Sequence, residues 1–245
     1  MGDAMRGTHY RIFRNGSKTY FFSSVFFPRE VKEDVFILYS LVRVADDLVD
    51  ATPQDIRGFY HFRDSFYRSL EGEGTGDLVV ESFRELMGRR RFQKEWVDSF
   101  FNSMEMDLYI RRYRTMEELE TYLYGSSEVV GLMMARILDL PEESYPSARA
   151  LGRAMQYINF IRDIAEDIGM GRIYFPQEEI EAHGLDGLDE DTISSQYPRF
   201  RAFIRSQVDR YMGWQAEAER GFPYIPHRLL IPIKTASEMY KWTGR

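Results

Sequence analysis

Residues 156–167 read Q-Y-I-N-F-I-R-D-I-A-E-D, and few folds can accommodate such a stretch. Ile158, Ile161, Ile164, Ala165 and Ile168 recur at helical spacing, and nothing before Gly169 breaks a helix, so the spacing predicts one helix over about 148–168. On that helix Gln156, Asn159, Asp163 and Asp167 share a sector of roughly 80°. The remaining faces are too apolar for a solvated surface element, so the polar stripe is expected to face a cavity. A second stripe has the same character. Tyr39, Arg43, Asp46 and Asp50, near the end of another long apolar helix, fall within about 60°. With 17 aspartates in the chain, roughly one Asp-x-x-x-Asp pair arises by chance and would pass for an acidic surface. Two such pairs, each ending an apolar helix, point to a shared site.

Composition narrows the chemistry. The chain has 245 residues, 44% hydrophobic and 15% aromatic, enough for a substantial core. Without cysteine it has no disulfide, thiolate metal site or cysteine nucleophile. His9, His61, His183 and His227 show no zinc spacing and read as surface or packing residues, so any metal would sit on oxygen. A net charge of −7 argues against nucleic acid as a partner. The basic run 89–91 reads as a solvated helix end. No apolar run approaches the ~18 residues of a membrane span, and the N-terminus lacks a signal-peptide core. The expectation is a cytoplasmic chain with at most a peripheral contact to a membrane surface.

In chain order, 1–16 is a polar lead without clear pattern. Ser17 caps a short aromatic helix carrying Tyr20, Phe21, Phe22, Phe26 and Phe27, which Pro28 stops. Helices are predicted over 29–50, 53–70, 77–87, 94–113 and 115–138, the last opened by a Thr115/Glu118 capping box. Gly125 and Gly131 interrupt it, marking the close approach of another backbone or of a ligand. After a loop at 141–146 comes the helix described above. The connection 169–189 reads as a surface loop or a lid, and helices follow over 191–220 and 226–242. No strand, repeat or domain linker emerges, so the fold class is all-α: a helical bundle with a central cavity.

Oxygen-only sites select hard cations, here Mg²⁺ with Mn²⁺ as a substitute, which bridge carboxylates to substrate phosphates. A diphosphate so held becomes a leaving group. An allylic carbocation left behind needs exclusion of water and the π faces of tyrosine and phenylalanine. These requirements describe an isoprenoid synthase. The rival carboxylate bundle, a di-iron protein, needs Glu-x-x-His pairs absent from these helices.

The sequence also resembles the squalene and phytoene synthases, which join two prenyl diphosphates head to head. The likeness covers almost the whole chain: S-K-T-Y at 17–20, L-Y-S-L-V-R-V-A-D-D-L-V-D at 38–50, M-E-M-D-L at 104–108, R-Y-R-T-M-E-E-L-E-T-Y-L-Y at 112–124, V-V-G-L-M at 129–133, Q-Y-I-N-F-I-R-D-I-A-E-D at 156–167 and G-R-I-Y-F-P at 171–176. The resemblance implies one synthase domain over 1–245, lacking a C-terminal segment that family members usually carry. It implies that Asp46, Asp50, Asp163 and Asp167 hold Mg²⁺ with Asn159 beside them. It further implies that Ser17, Tyr20, Tyr39, Arg43, Tyr122, Gln156 and Arg162 contact the diphosphates or the reacting carbons, with Tyr240 near a further diphosphate contact.

The implied reaction is condensation of two geranylgeranyl diphosphates to phytoene through a cyclopropylcarbinyl diphosphate. The alternatives are dehydrosqualene or squalene from farnesyl diphosphate, squalene requiring NADPH, and a non-catalytic homologue acting as an assembly subunit. No glycine-rich dinucleotide fingerprint follows a strand, which favours the redox-free outcome. A head-to-tail elongator or terpene cyclase would share the bundle, but the identical Asp-x-x-x-Asp spacing of both motifs fits the head-to-head family better. Val35, Phe21, Phe22 and Phe26 are expected to line the far end of a prenyl channel. The oligomeric state stays open.

Overall fold

Several helices open on a side chain that satisfies their free backbone amides. Ser17 accepts from the Tyr20 amide, Asp55 from Gly58, Asp77 from Val79 and Val80, Thr115 from Glu118, and Asp189 from Thr192. Glu118 reciprocates on the amide of Arg114, one residue outside the expected box (2.7 Å). In the computed structural model, which describes residues 3–243, the helices are α1 (Asp3–Gly16), α2 (Lys18–Ser24), α3 (Arg29–Asp50), α4 (Ile56–Leu70), α5 (Leu78–Arg90), α6 (Lys94–Tyr109) and α7 (Met116–Leu123). A π-helical turn, Tyr124–Glu128, joins α7 to α8 (Val129–Ile137). There follow α9 (Tyr145–Arg162), α10 (Ile164–Gly169), α11 (Gln177–Ala182), α12 (Glu190–Ser195), α13 (Tyr197–Glu219) and α14 (His227–Thr243). Among the described residues the nearest thing to a sheet is one parallel bridge, Arg112 to Ile173, so the expected all-α class holds.

Two helices organise the packing. Around α3 lie α1, α4, α5, α6 and α8, and around α9 lie α8, α13, α14 and the π-helical turn. Gly125 and Gly131 allow these contacts. A Cβ on Gly125 would stand 2.1 Å from the Ser99 carbonyl, and one on Gly131 would stand 2.2 Å from that of Ala148. A neighbouring backbone therefore accounts for both glycines. Glu128, fully buried at the end of the π-helical turn, is held by Arg149 Nε (2.7 Å) and Arg153 Nε (2.6 Å) from α9.

Four expectations change. The polar lead is helix α1, because His9 and Phe13, four residues apart, bury against α3. The basic run is not simply solvated: Arg89 and Arg90 both bind the buried carboxylate of Asp34, Arg90 Nε at 2.6 Å. The helix over 148–168 is two, because Asp163 leaves the helical region (φ −102°, ψ 15°) between α9 and α10. The connection after Gly169 is not a loose lid. Arg172, Tyr174 and Phe175 are buried in it, and α11 follows.

Candidate active site

The last turns of α3 and α9, together with α10, bring both acidic stripes to one cavity of about 920 Å³. All thirteen residues singled out in the sequence line it: Ser17, Tyr20, Tyr39, Arg43, Asp46, Asp50, Tyr122, Gln156, Asn159, Arg162, Asp163, Asp167 and Tyr240. The rest of the wall is largely apolar, with Phe27, Val35, Leu38, Met104, Leu138 and Ile233 among it.

Each stripe carries its own arginine. Arg43 Nη1 lies 3.2 Å from Asp46 Oδ2 while its Nη2 reaches Asp47 Oδ1 at 2.5 Å. Arg162 forks onto Asp163, Nε to Oδ1 at 2.7 Å and Nη2 to Oδ2 at 2.6 Å. Asp46 opens 38% of its side chain to the cavity, yet the protein around it and the neighbouring Asp50 push its carboxyl up to about 7. Asp167 is raised to about 7, first by burial, then by Asp163 and, against Arg172, by Asp50 and Asp107. The stripes thus feel each other's charge.

Asn159 Oδ1 is buried with no hydrogen-bond partner, while its amide Nδ2 donates to Gln156 Oε1 at 3.4 Å. Excess carboxylate charge beside an orphaned carbonyl oxygen is the donor set a hard divalent cation takes. Among the described residues no three acidic or imidazole groups close into a ready-made metal cage. The acids stand in pairs across a space, as suits ions that also take oxygens from a bound substrate. Tyr20 and Tyr240 set their rings 5.5 Å apart beside Asn159 and Arg162, and burial raises both phenols. Tyr39 stacks on Phe13 with centroids 4.0 Å apart.

A profile of one protein family, squalene/phytoene synthase, matches residues 13–245. The chain belongs to the squalene/phytoene synthase family. As a member of it, the chain is a prenyltransferase of the head-to-head type. It is 29% identical to 15-cis-phytoene synthase of Synechococcus elongatus over 92% of this chain and 78% of that one. It is 28% identical to the chloroplastic phytoene synthase 2 of Solanum lycopersicum, over 92% and 75% respectively. A crystal structure of a dehydrosqualene synthase in complex with ligand superposes with a TM-score of 0.87 at 22% identity, covering 97% of this chain and 84% of that one. Squalene synthase HpnC from Alicyclobacillus acidocaldarius gives 0.86 at 23% identity, covering 100% and 94%.

Three lining residues of this synthase-family cavity escaped the sequence reading. Asp107, only 3% exposed, accepts hydrogen bonds from the phenols of Tyr122 (2.7 Å) and Tyr174 (2.9 Å). Burial raises its carboxyl to about 6 although Arg172 and both phenols oppose the shift. Arg172 pairs with Asp50 and donates to the carbonyls of Val49 (2.7 Å) and Asp107 (3.3 Å). Tyr174 stacks on Phe160 with centroids 4.2 Å apart and planes 6° from parallel. M-E-M-D-L carried a signal, since Asp107 interrupts an otherwise apolar helical face, as did the arginine of G-R-I-Y-F-P. The channel expectation holds only in part. Val35 lines the cavity, whereas Phe21 packs against Phe13 and Phe36, and Phe22 and Phe26 point to solvent at 62% and 59% exposure. Among the described residues no helix is long and apolar enough to cross a membrane.

Proposed function

We propose that this chain condenses two molecules of geranylgeranyl diphosphate to phytoene, through a cyclopropylcarbinyl diphosphate, in one domain and one cavity. The observation that carries the reading is the meeting of two acidic stripes at a cavity whose remaining wall is apolar: charge where diphosphates ionise, hydrocarbon where prenyl tails lie. The phytoene synthases among its relatives support the twenty-carbon substrate and the redox-free product over the farnesyl alternatives.

In this reading Asp46, Asp50, Asp163 and Asp167, with Asn159, would hold Mg²⁺, or Mn²⁺ in its place. Bound there, the ions supply neutralisation of the diphosphate charge as the carbon–oxygen bond breaks. Arg43 and Arg162 turn from their own acids to the phosphate oxygens, with Ser17, Tyr20, Tyr39, Gln156 and Tyr240 completing the contacts. Arg172, itself on the cavity wall, would hold the Asp50 carboxylate in place through their ion pair. The rings of Tyr122, Phe160 and Tyr174 put aromatic surface on the cavity wall where an allylic cation would form, and Asp107 fixes two of them. The burial of these rings leaves the cation little water to react with. A non-catalytic assembly role has no observation in its favour.

Incubation with radiolabelled geranylgeranyl and farnesyl diphosphates, with and without NADPH and with excess EDTA, tests the proposal. Phytoene without NADPH, and no product in EDTA, is the expected result. A thirty-carbon product, or prenyl alcohol alone, would overturn it.

A further inference from the structure

Two main-chain carbonyls next to cavity-lining carboxylates take their donors from outside their own helices. Val49 lies near the end of α3, and the residue four further on, whose amide would normally serve it, is Pro53, which has no N–H. Asp107 lies near the end of α6, where the chain turns extended at Ile110 (φ −90°, ψ 122°). Side chains supply the donors. Gln54, half-buried and off the cavity wall, gives its amide Nε2 to both oxygens, 2.7 Å from that of Val49 and 3.0 Å from that of Asp107. Arg172, on the cavity wall, gives its Nη2 to the same two oxygens at 2.7 and 3.3 Å. Arg111 closes the outer side: its Nη2 donates to Gln54 Oε1 at 2.8 Å and its Nη1 to the Asp107 carbonyl at 3.1 Å. With acceptors on one side of the Gln54 amide and a guanidinium on the other, its orientation is fixed.

The two carbonyls matter because of what they adjoin. Asp50 is the residue after Val49, and Asp107 carries its own carboxylate on the cavity wall. Arg172 joins the two places, pairing through Nη1 with the Asp50 carboxylate while its Nη2 spans the carbonyls. Two bridges therefore tie the negative ends of α3 and α6, Arg172 from the cavity side and Gln54 from outside it. We propose that Gln54 is a positioning residue for turnover: it fixes the two helix ends against each other, and with them the spacing of Asp50, Arg172 and Asp107 on the wall. Without it one nitrogen of Arg172 is left between two carbonyls, free to follow either helix, and Asp50 shifts with its partner. The role of Gln54 rests on the condensation reading, in which these three residues face the reacting groups. Gln54 itself lines no part of the cavity, so its loss acts on the reacting geometry and not on substrate affinity.

Diphosphate release from geranylgeranyl or farnesyl diphosphate, whichever is consumed faster, reads turnover whatever hydrocarbon forms. A product other than phytoene would thus overturn the condensation reading and leave this test intact. Gln54→Met keeps the length of the side chain and removes its donors; kcat per folded molecule should fall about tenfold with KM within about twofold, as for a small displacement of reacting groups. Gln54→Glu, which sets a carboxylate against two carbonyl oxygens, should lose about a hundredfold. Arg111→Met leaves the Gln54 amide both its acceptors but frees its other side, and should lose about threefold. Cooperative thermal melting gives the folded fraction of each, and Arg111→Met carries the test if neither Gln54 variant folds. Unchanged kcat in the folded variants, or a loss seen only in Tm or only in KM, would overturn the assignment and leave Gln54 a helix cap alone.

Discussion

A carboxylate at 3% exposure is costly unless its oxygens are occupied, and at Asp107 each oxygen accepts one phenol. An amide there presents one oxygen and one NH₂, so one tyrosine loses its acceptor and must turn. Asp107→Asn is therefore expected to lower kcat by about ten- to a hundredfold with little change in KM, as for loss of a charge-assisted hydrogen bond worth about 1.5–3 kcal/mol. Steady-state kinetics on the folded variant checks this; a change confined to KM would place Asp107 outside the arrangement of the reacting groups. His9 is the residue for acid stability. It is fully buried, with Nδ1 2.8 Å from Ser40 Oγ and Nε2 unpartnered, and burial lowers its pKa from 6.5 to about 4. As pH falls the unfolded chain takes up this proton first. The stabilisation is thus complete above about 6.5, shrinks toward about 4 and then levels. Urea titrations of wild type and His9→Asn should diverge across that window by up to about 3 kcal/mol, with the wild type losing more. Parallel curves would mean that His9 titrates normally.

On α3 adjacent aspartates have different neighbours. Asp46 lines the cavity, while Asp47, 55% exposed, lies outside it and holds the far side of Arg43. Asp46→Asn should abolish most turnover, about a thousandfold, whereas Asp47→Asn should cost about threefold through a less restrained Arg43. Comparable losses would place Asp47 in the site. Between α8 and α9 the contact is backbone on backbone at Gly131, so Gly131→Ala should destabilise by about 1–3 kcal/mol or more, read as a lowered Tm. An unchanged Tm would show that the helices can separate freely. The elements that could be read from sequence were those whose signals are local. Helix α3 was expected at its observed ends, since apolar periodicity begins after Pro28 and stops before Pro53, and Ser17 and Thr115 announced their caps. The break at Asp163 has no glycine or proline to mark it. Helix α1 lacked a sequence signal because its fully buried residues, His9 and Phe13, are few and one of them is a histidine that composition alone assigns to the surface as readily as to the core. In the site, residues on two helical stripes were legible from spacing. Asp107 and Arg172 were not named, because their partners lie on other helices and the roles depend on tertiary approach.

At the scale of the whole molecule the cavity is the governing fact: about 920 Å³ of space, with much of its wall drawn from the two apolar clusters that stabilise the fold. Around it, Phe100 and Leu138 belong to one cluster and Phe160 and Tyr240 to the other. The protein is thus a shell whose missing filling is its own substrate. Prenyl tails would supply contacts that the empty fold forgoes, and a ligand at a hundredfold its Kd would stabilise the native state by about 2.7 kcal/mol. Native-state proteolysis at low protease, where cleavage follows the open population, should be slowed about a hundredfold by an unreactive thiodiphosphate analogue at that concentration; equal rates would mean that filling the cavity does not stabilise the fold. In a cell, such coupling would tie the lifetime of the protein to the supply of its precursors, with degradation rising whenever prenyl diphosphates run short and no separate regulator required.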